Sequence, residues 1–151
     1  MPGLYVEALT KLRSLANANH ARRLNEQLKR WDFFGECILW DFHLTHFGYG
    51  LDLAINYVWD ESGRIREDVL QKPVLYAFQL LGVDSIRLVA GLTSGMMANP
   101  EMINWGFAEV ARVEAFDSSA GCGLTIKWEG ARRLDIEFSN YVLLSPEGHP
   151  L

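Results

Sequence analysis

Two runs, Ile38-Leu-Trp-Asp-Phe-His-Leu-Thr45 and Leu51-Asp-Leu-Ala-Ile-Asn-Tyr-Val-Trp59, flank His46-Phe-Gly-Tyr-Gly50. In the first, Ile38, Trp40, Phe42 and Leu44 alternate with Leu39, Asp41, His43 and Thr45; in the second, Leu51, Leu53, Ile55, Tyr57 and Trp59 alternate with Asp52, Ala54 and Asn56. Successive side chains of a strand point to opposite faces, so this period of two predicts a β-hairpin with one apolar and one wet face.

The same grammar continues downstream. Asp60 to Lys72 is a polar connection with Gly63 in a turn-like run, and Pro73 opens a strand at Val74 to Leu81. Gly82 and Asp84 mark a turn, Ser85 to Ala90 a short strand, and Gly91 to Trp105, with Gly95, Asn99 and Pro100, a long loop. Phe107 to Phe116 reads as a strand and Asp117 to Gly123 as a turn. Leu124 to Trp128, Leu134 to Phe138 and Tyr141 to Leu144 read as further strands, with Pro146 to Leu151 a frayed tail. Upstream the period is helical. Tyr5, Leu9, Leu12 and Ala16 form one apolar stripe, and Leu24, Leu28 and Trp31 another. Asn17, Asn19 and His20 fall between the stripes, which predicts a bend or two short helices, with His20 as a solvated capping residue.

The fold class that follows is α+β: an N-terminal helix or helix pair, then a mostly antiparallel sheet of six to eight strands, either one sheet or a sandwich. With 151 residues and no repeat or linker, one domain is expected over 1–151, its helical arm at 1–31 packed on a β body at 37–144.

Composition excludes several classes. Hydrophobic residues make up 49% and charged residues 22%, as in an ordinary folded domain rather than a disordered or fibrous chain. No run reaches the roughly 18 apolar residues a membrane span needs, and Glu7, Lys11 and Arg13 interrupt any signal-peptide centre, so a cytoplasmic protein is expected. Cys37 and Cys122 are expected to be free thiols. The net charge is −5, yet residues 1–30 carry six basic side chains (Lys11, Arg13, Arg22, Arg23, Lys29, Arg30) against Glu7 and Glu26. A basic arm thus precedes an acidic body, and nucleic acid is a disfavoured partner for a chain acidic as a whole.

Asp41, His43 and His46 form an Asp-x-His-x-x-His cluster. On a strand Asp41 and His43 share a face, as two metal ligands or an acid–base pair would, but no third ligand is identifiable. No Gly-x-Ser-x-Gly is present, and Cys37 leads into an apolar strand that would bury it. Gly48-Tyr49-Gly50 and Gly121-Cys122-Gly123 read as turns, since neither opens a helix that could offer amides to phosphate. Asp135 and Glu137 read as a solvated strand face. No cofactor is implied, and the missing nucleophile favours a non-catalytic role. Trp105, with Met96, Met97 and Met102 nearby, gives the long loop a composition suited to protein contacts.

From Trp31 to Leu144 the order of elements resembles small bacterial immunity proteins of polymorphic toxin systems and their uncharacterised relatives. The stretches that carry the likeness are Cys37-Ile-Leu-Trp-Asp-Phe-His-Leu44 with Leu51-Asp-Leu-Ala-Ile55, then Val74-Leu-Tyr-Ala-Phe-Gln-Leu-Leu-Gly-Val-Asp-Ser-Ile-Arg-Leu88, and the closing pair Leu124-Thr-Ile-Lys-Trp128 and Leu134-Asp-Ile-Glu-Phe138. The relatives often carry a His-Asp pair ahead of the first strand, where this chain has Gly35-Glu36. The resemblance implies a non-catalytic binder that occludes a toxin, and an acidic body suits a basic partner.

Two function classes therefore stand. One is a protein-binding module whose contact residues are Asp60, Glu61, Glu67 and Asp68 in the polar connection together with Trp105. The other is a small-molecule or enzymatic domain with a cleft near Asp41, His43 and His46. No membrane partner is expected, the packing of the basic arm on its own acidic body being preferred to a membrane-surface role, and a homodimer stays open.

Overall fold

The computed structural model describes residues 20–89, 109–128 and 132–151. The first described element is helix α1, His20–Leu28. Ala21, Leu24 and Leu28 lie on one buried stripe while Arg22, Arg23 and Glu26 face water. Burying such a stripe, at roughly 1.5 to 3 kcal/mol for each large aliphatic side chain, holds this short helix, since nine residues are too few to be stable alone. Beyond it Asp32, Phe33 and Phe34 all take left-handed backbone conformations, with φ of 49°, 54° and 56°, and the chain turns into the first strand. Trp31, read as part of the helical stripe, lies in this turn and stacks on Phe34.

Among the described residues eight antiparallel strands follow: β1 Ile38–Thr45, β2 Gly50–Asn56, β3 Leu75–Leu81, β4 Ser85–Val89, β5 Arg112–Ser118, β6 Gly121–Lys127, β7 Arg133–Phe138 and β8 Asn140–Leu144. They form two four-stranded sheets, ordered β1-β2-β3-β8 and β4-β7-β6-β5. A single buried cluster, including Leu53, Phe78, Val113, Leu124, Ile136 and Phe138, draws on both.

One hairpin serves both sheets. The pair β3–β8 ends at Leu81 opposite Asn140, and the pair β4–β7 resumes at Ser85 opposite Glu137, so Gly82 to Asp84 face only Phe138 and Ser139. The extra residue bends the ribbon, as a bulge does. Gly82 suits that corner, with φ of 63° and a missing Cβ that would otherwise sit 2.0 Å from Ser139 Oγ. On the other side Ile38 bridges Glu109, tying the start of β1 to the approach of β5.

Three local expectations are corrected. Trp40 does not alternate in phase with the inward side chains: the β1–β2 register shifts between Leu39 and Asp41, so Leu39 pairs with Ile55 and Phe42 with Leu53, leaving Trp40 in a bulge. Gly121-Cys122-Gly123 is the buried start of β6 rather than a turn, with the Phe116 ring lying over Gly123 where a Cβ would be. Pro146 to Leu151 is no frayed tail, since it folds back on β8 through Leu151 N–H to Leu143 O at 2.8 Å and a bridge between Leu144 and Pro150.

Candidate functional site

Every sheet edge exposes backbone donors and acceptors that must be covered or will attract another chain. Two of the four edges here are covered. Asn25 of α1 acts as a surrogate strand for β5, its Nδ2 donating to Ala115 O at 2.9 Å and its Oδ1 accepting from Ala115 N–H at 2.7 Å. The returning C-terminal segment covers β8. By contrast, among the described residues β4 pairs only with β7, and β1 from Asp41 to Thr45 only with β2.

A cleft of about 500 Å³ lies between these two edges, lined by Leu39, Trp40, Asp41 and Phe42 of β1, Ile86 and Leu88 of β4, Leu134 of β7, and Trp128. Ile86 and Leu88 pair with the buried Ile136 and Leu134 and so face inward, yet they remain 40% and 38% exposed because no described layer closes over them. The apolar surface continues at the far end of β1, with Leu44 56% and Tyr49 72% exposed and Phe47 wholly so. An exposed cluster of large apolar groups on a folded domain marks an interaction surface.

The tip that carries Phe47 is strained. His46 and Phe47 have φ of 51° and 56°, a region that costs a non-glycine residue about 1 to 2 kcal/mol, and Phe47 recovers none of it by burial. Phe47→Gly is accordingly expected to raise the unfolding free energy by about 0.5 to 1 kcal/mol in a urea titration, even after glycine's extra backbone entropy. Unchanged or lower stability would show that Phe47 has packing partners.

Beside the cleft, the outer face of the hairpin carries the predicted polar pair and one more acid. His43 Nδ1 lies 2.9 Å from Asp41 Oδ2, and its Nε2 lies 3.5 Å from Asp52 Oδ2, Asp52 being its cross-strand neighbour. His46 stands apart on the tip, bonded to Thr45 Oγ1 at 3.1 Å. Among the described residues no group of three or more His, Cys, Asp or Glu side chains could hold a metal ion. Asp41 is the one charged residue among those lining the cleft, and its carboxylate is engaged by His43 on the outer face.

The acidic connection sits at the opposite end of β2 from the hairpin tip and is organised by its own contacts. Asp60 Oδ1 accepts from Ser62 N–H, Ser62 Oγ and Arg64 N–H at 2.8, 2.7 and 3.0 Å, and these bonds hold its carboxyl below the ordinary range. Asp68 lies 3.5 Å from Arg66, whose guanidinium also donates to Tyr57 O, Lys72 O and Asn56 Oδ1. Glu61 and Glu67 are exposed. Trp105, with Met96, Met97 and Met102, lies outside the described residues.

On the outer face of the second sheet, Asp135 and Glu137 are bonded rather than merely solvated. Asp135 contacts Thr125 Oγ1 at 2.9 Å and Arg133 Nε at 3.0 Å, Glu137 accepts from Ser85 and Ser118 at 2.6 and 2.7 Å, and Glu114 pairs with Lys127 and with Arg112. Hydrogen bonds from Lys127 and Arg112 lower the Glu114 carboxyl, and those from Ser85 and Ser118 lower Glu137; burial opposes the effect at Asp135, but Arg133 and Thr125 prevail. A carboxyl held lower in the folded than in the unfolded chain stabilises the fold above the ordinary carboxylate range and loses that contribution as pH falls through the folded value. Urea midpoints are therefore expected to fall between about pH 5 and pH 3, and to fall less in a Glu114→Gln, Asp135→Asn, Glu137→Gln variant. Equal slopes in the two proteins would contradict this.

Cys37 and Cys122 are free and buried, and burial raises their thiols to about 11 and about 12. Neither is a nucleophile at neutral pH. Among the described residues no helix is long and apolar enough to cross a membrane.

No protein-family model matches the chain, and no curated protein sequence does. A solved structure, that of an uncharacterized protein from Neisseria gonorrhoeae, aligns over 73% of this chain and 91% of its own, with a TM-score of 0.49 and 9% sequence identity. At that level of similarity it assigns no function to the cleft.

Proposed function

We propose that the chain is a non-catalytic protein-binding module that receives a basic partner protein on its open side, between β1 and β4. The observation that carries the reading is the uneven treatment of the sheet edges: α1 and the C-terminal segment cover two, while β4 and the outer half of β1 flank an apolar cleft. An extended segment of the partner adds to β4 through main-chain hydrogen bonds and places alternate side chains in the cleft, the usual form of strand addition. Asp41, at the cleft wall, meets a basic side chain of that segment, and Asp52 and the −5 net charge steer its approach. The resemblance to immunity proteins supplies the partner's class, a toxin whose basic surface the module occludes.

Leu88→Lys tests this. It places a cation in the cleft while removing little buried area, since Leu88 is already 38% exposed. Against the basic product of an adjacent reading frame, surface-plasmon measurements are expected to show binding weakened by at least about 2 kcal/mol, chiefly through faster dissociation, with unfolding changed by less than about 1 kcal/mol. Wild-type affinity in Leu88→Lys would remove the cleft as the docking site.

A further inference from the structure

The outer face of the second sheet carries one aromatic ring among charges. Strand pairing sets Phe116 opposite Gly123, Gly123 opposite Glu137 and Glu137 opposite Ser85, so these four form one row across that face. Glu114, Thr125, Asp135 and Arg87 form the row beside it. Phe116 takes no part in the buried core, and its ring lies over Gly123, where a side chain would otherwise stand. Two hollows, of about 440 and 290 Å³, flank the ring. Ser85, Arg87 and Glu137 line the first, Glu114, Thr125, Lys127 and Arg133 the second, and Phe116 and Asp135 line both.

The charges around the ring are balanced rather than of one sign. Three cations, Arg87, Lys127 and Arg133, meet three carboxylates, Glu114, Asp135 and Glu137. Their mutual bonds use only part of what each can make. Arg133 reaches Asp135 through Nε rather than through its terminal nitrogens, and Arg87, with 70% of its side chain exposed, approaches the same carboxylate through one terminal nitrogen at 3.6 Å. Each oxygen of Glu137 accepts from one serine hydroxyl, Ser118 or Ser85, and a carboxylate oxygen has two acceptor positions. Donors and acceptors therefore stand side by side beside an apolar ring. A phosphate or a cation would meet a like charge in either hollow. A hydroxyl meets no such conflict, since it accepts from a guanidinium or ammonium while donating to a carboxylate.

We propose that this face binds a neutral oligosaccharide, the apolar C–H face of one sugar ring resting on Phe116 and its hydroxyls bridging the cations and carboxylates of the flanking hollows. Hollows on both sides of the ring give neighbouring sugars a place, which favours a chain over a single sugar. The ligand's neutrality also suits a protein of net charge −5, which would repel an acidic glycan. The site is separate from the β1–β4 cleft: Arg87 faces the sugar, whereas its chain neighbours Ile86 and Leu88 face the cleft, so each reading stands or falls alone.

The test applies the whole chain to a printed array of neutral and anionic glycans, with detection through a terminal affinity tag because amine labelling would modify Lys127. The expected result is binding to neutral oligosaccharides that persists at ~1 M salt, where screening acts over about 3 Å. Phe116→Leu and Arg87→Gln are each expected to weaken that binding at least ~tenfold, the first through loss of the stacking face and the second through loss of a charge-assisted donor. Arg87→Gln decides the matter if Phe116→Leu fails to fold, since so exposed a side chain can be replaced without disturbing the sheet. No binding to any neutral glycan, binding that high salt abolishes, or wild-type binding by either folded variant overturns the proposal.

Discussion

Phe34→Ala is expected to lower the unfolding free energy by about 4 kcal/mol, read from urea transitions, because it removes the centre of an aromatic cluster and leaves a cavity. The Phe34 ring is fully buried, stacks on Trp31 at 5.5 Å, and lies 5.7, 6.1 and 6.3 Å from the rings of Tyr76, Phe78 and Tyr57. Aromatic pairs contribute about 0.5 to 1.5 kcal/mol each beyond their buried area, so several are lost together. Alanine also keeps the left-handed backbone at this position and relieves none of its cost. A loss below about 1.5 kcal/mol would mean the cluster closes over the gap.

Asn56→Leu is expected to cost about 3 kcal/mol, and to expose the connection to proteolysis before the rest of the chain. Asn56 is fully buried at the end of β2, where its Nδ2 donates to Val69 O at 2.9 Å and its Oδ1 accepts from Val74 N–H at 3.0 Å and from Arg66 at 3.2 Å. Leucine matches its size but leaves the Val69 carbonyl and the Val74 amide buried or half-buried without partners, at about 1 to 3 kcal/mol for each such group. Limited proteolysis that cuts Asn56→Leu within 60–72 at the same rate as wild type would contradict this role. The carboxylates of Asp60 and Asp68 sit in the segment this residue fastens, and their bonds hold its turns in shape.

The strands were legible where apolar and polar residues alternated without interruption, as in Leu134 to Phe138, and where Pro73 opened the apolar run from Val74 to Leu81. Alternation fails at Trp40, because a bulge reverses the phase of every side chain before it relative to those after it, and one extra residue leaves no mark on composition. It also fails at Gly121-Cys122-Gly123, where glycine signals a turn locally but serves a ring that crosses from β5. His20 looked solvated for a different reason. Its burial depends on Tyr141, a contact between distant parts of the chain that no local pattern encodes.

Within the candidate site, the shared face of Asp41 and His43 follows from strand period alone, whereas Asp52 joins them only through the register of β1 and β2. Ile86 and Leu88 fall in a run that reads as a short strand, and their side chains face inward; what sequence could not reveal is that β4 ends its sheet with no described neighbour. Edge position is a property of topology. The Asn25 bonds to Ala115 are equally invisible in sequence, since an asparagine on a helix surface ordinarily faces water.

Hydrogen–deuterium exchange on the chain alone and with the proposed basic partner tests strand addition at β4 most directly, because backbone amides at an edge with no paired strand exchange readily until another strand pairs with them. Partner binding is expected to slow exchange in residues 85–89 and 38–50 while leaving residues 112–118, already covered by α1, unchanged. Protection confined to the connection at 60–72, or to the outer face of β5 to β7, would contradict it.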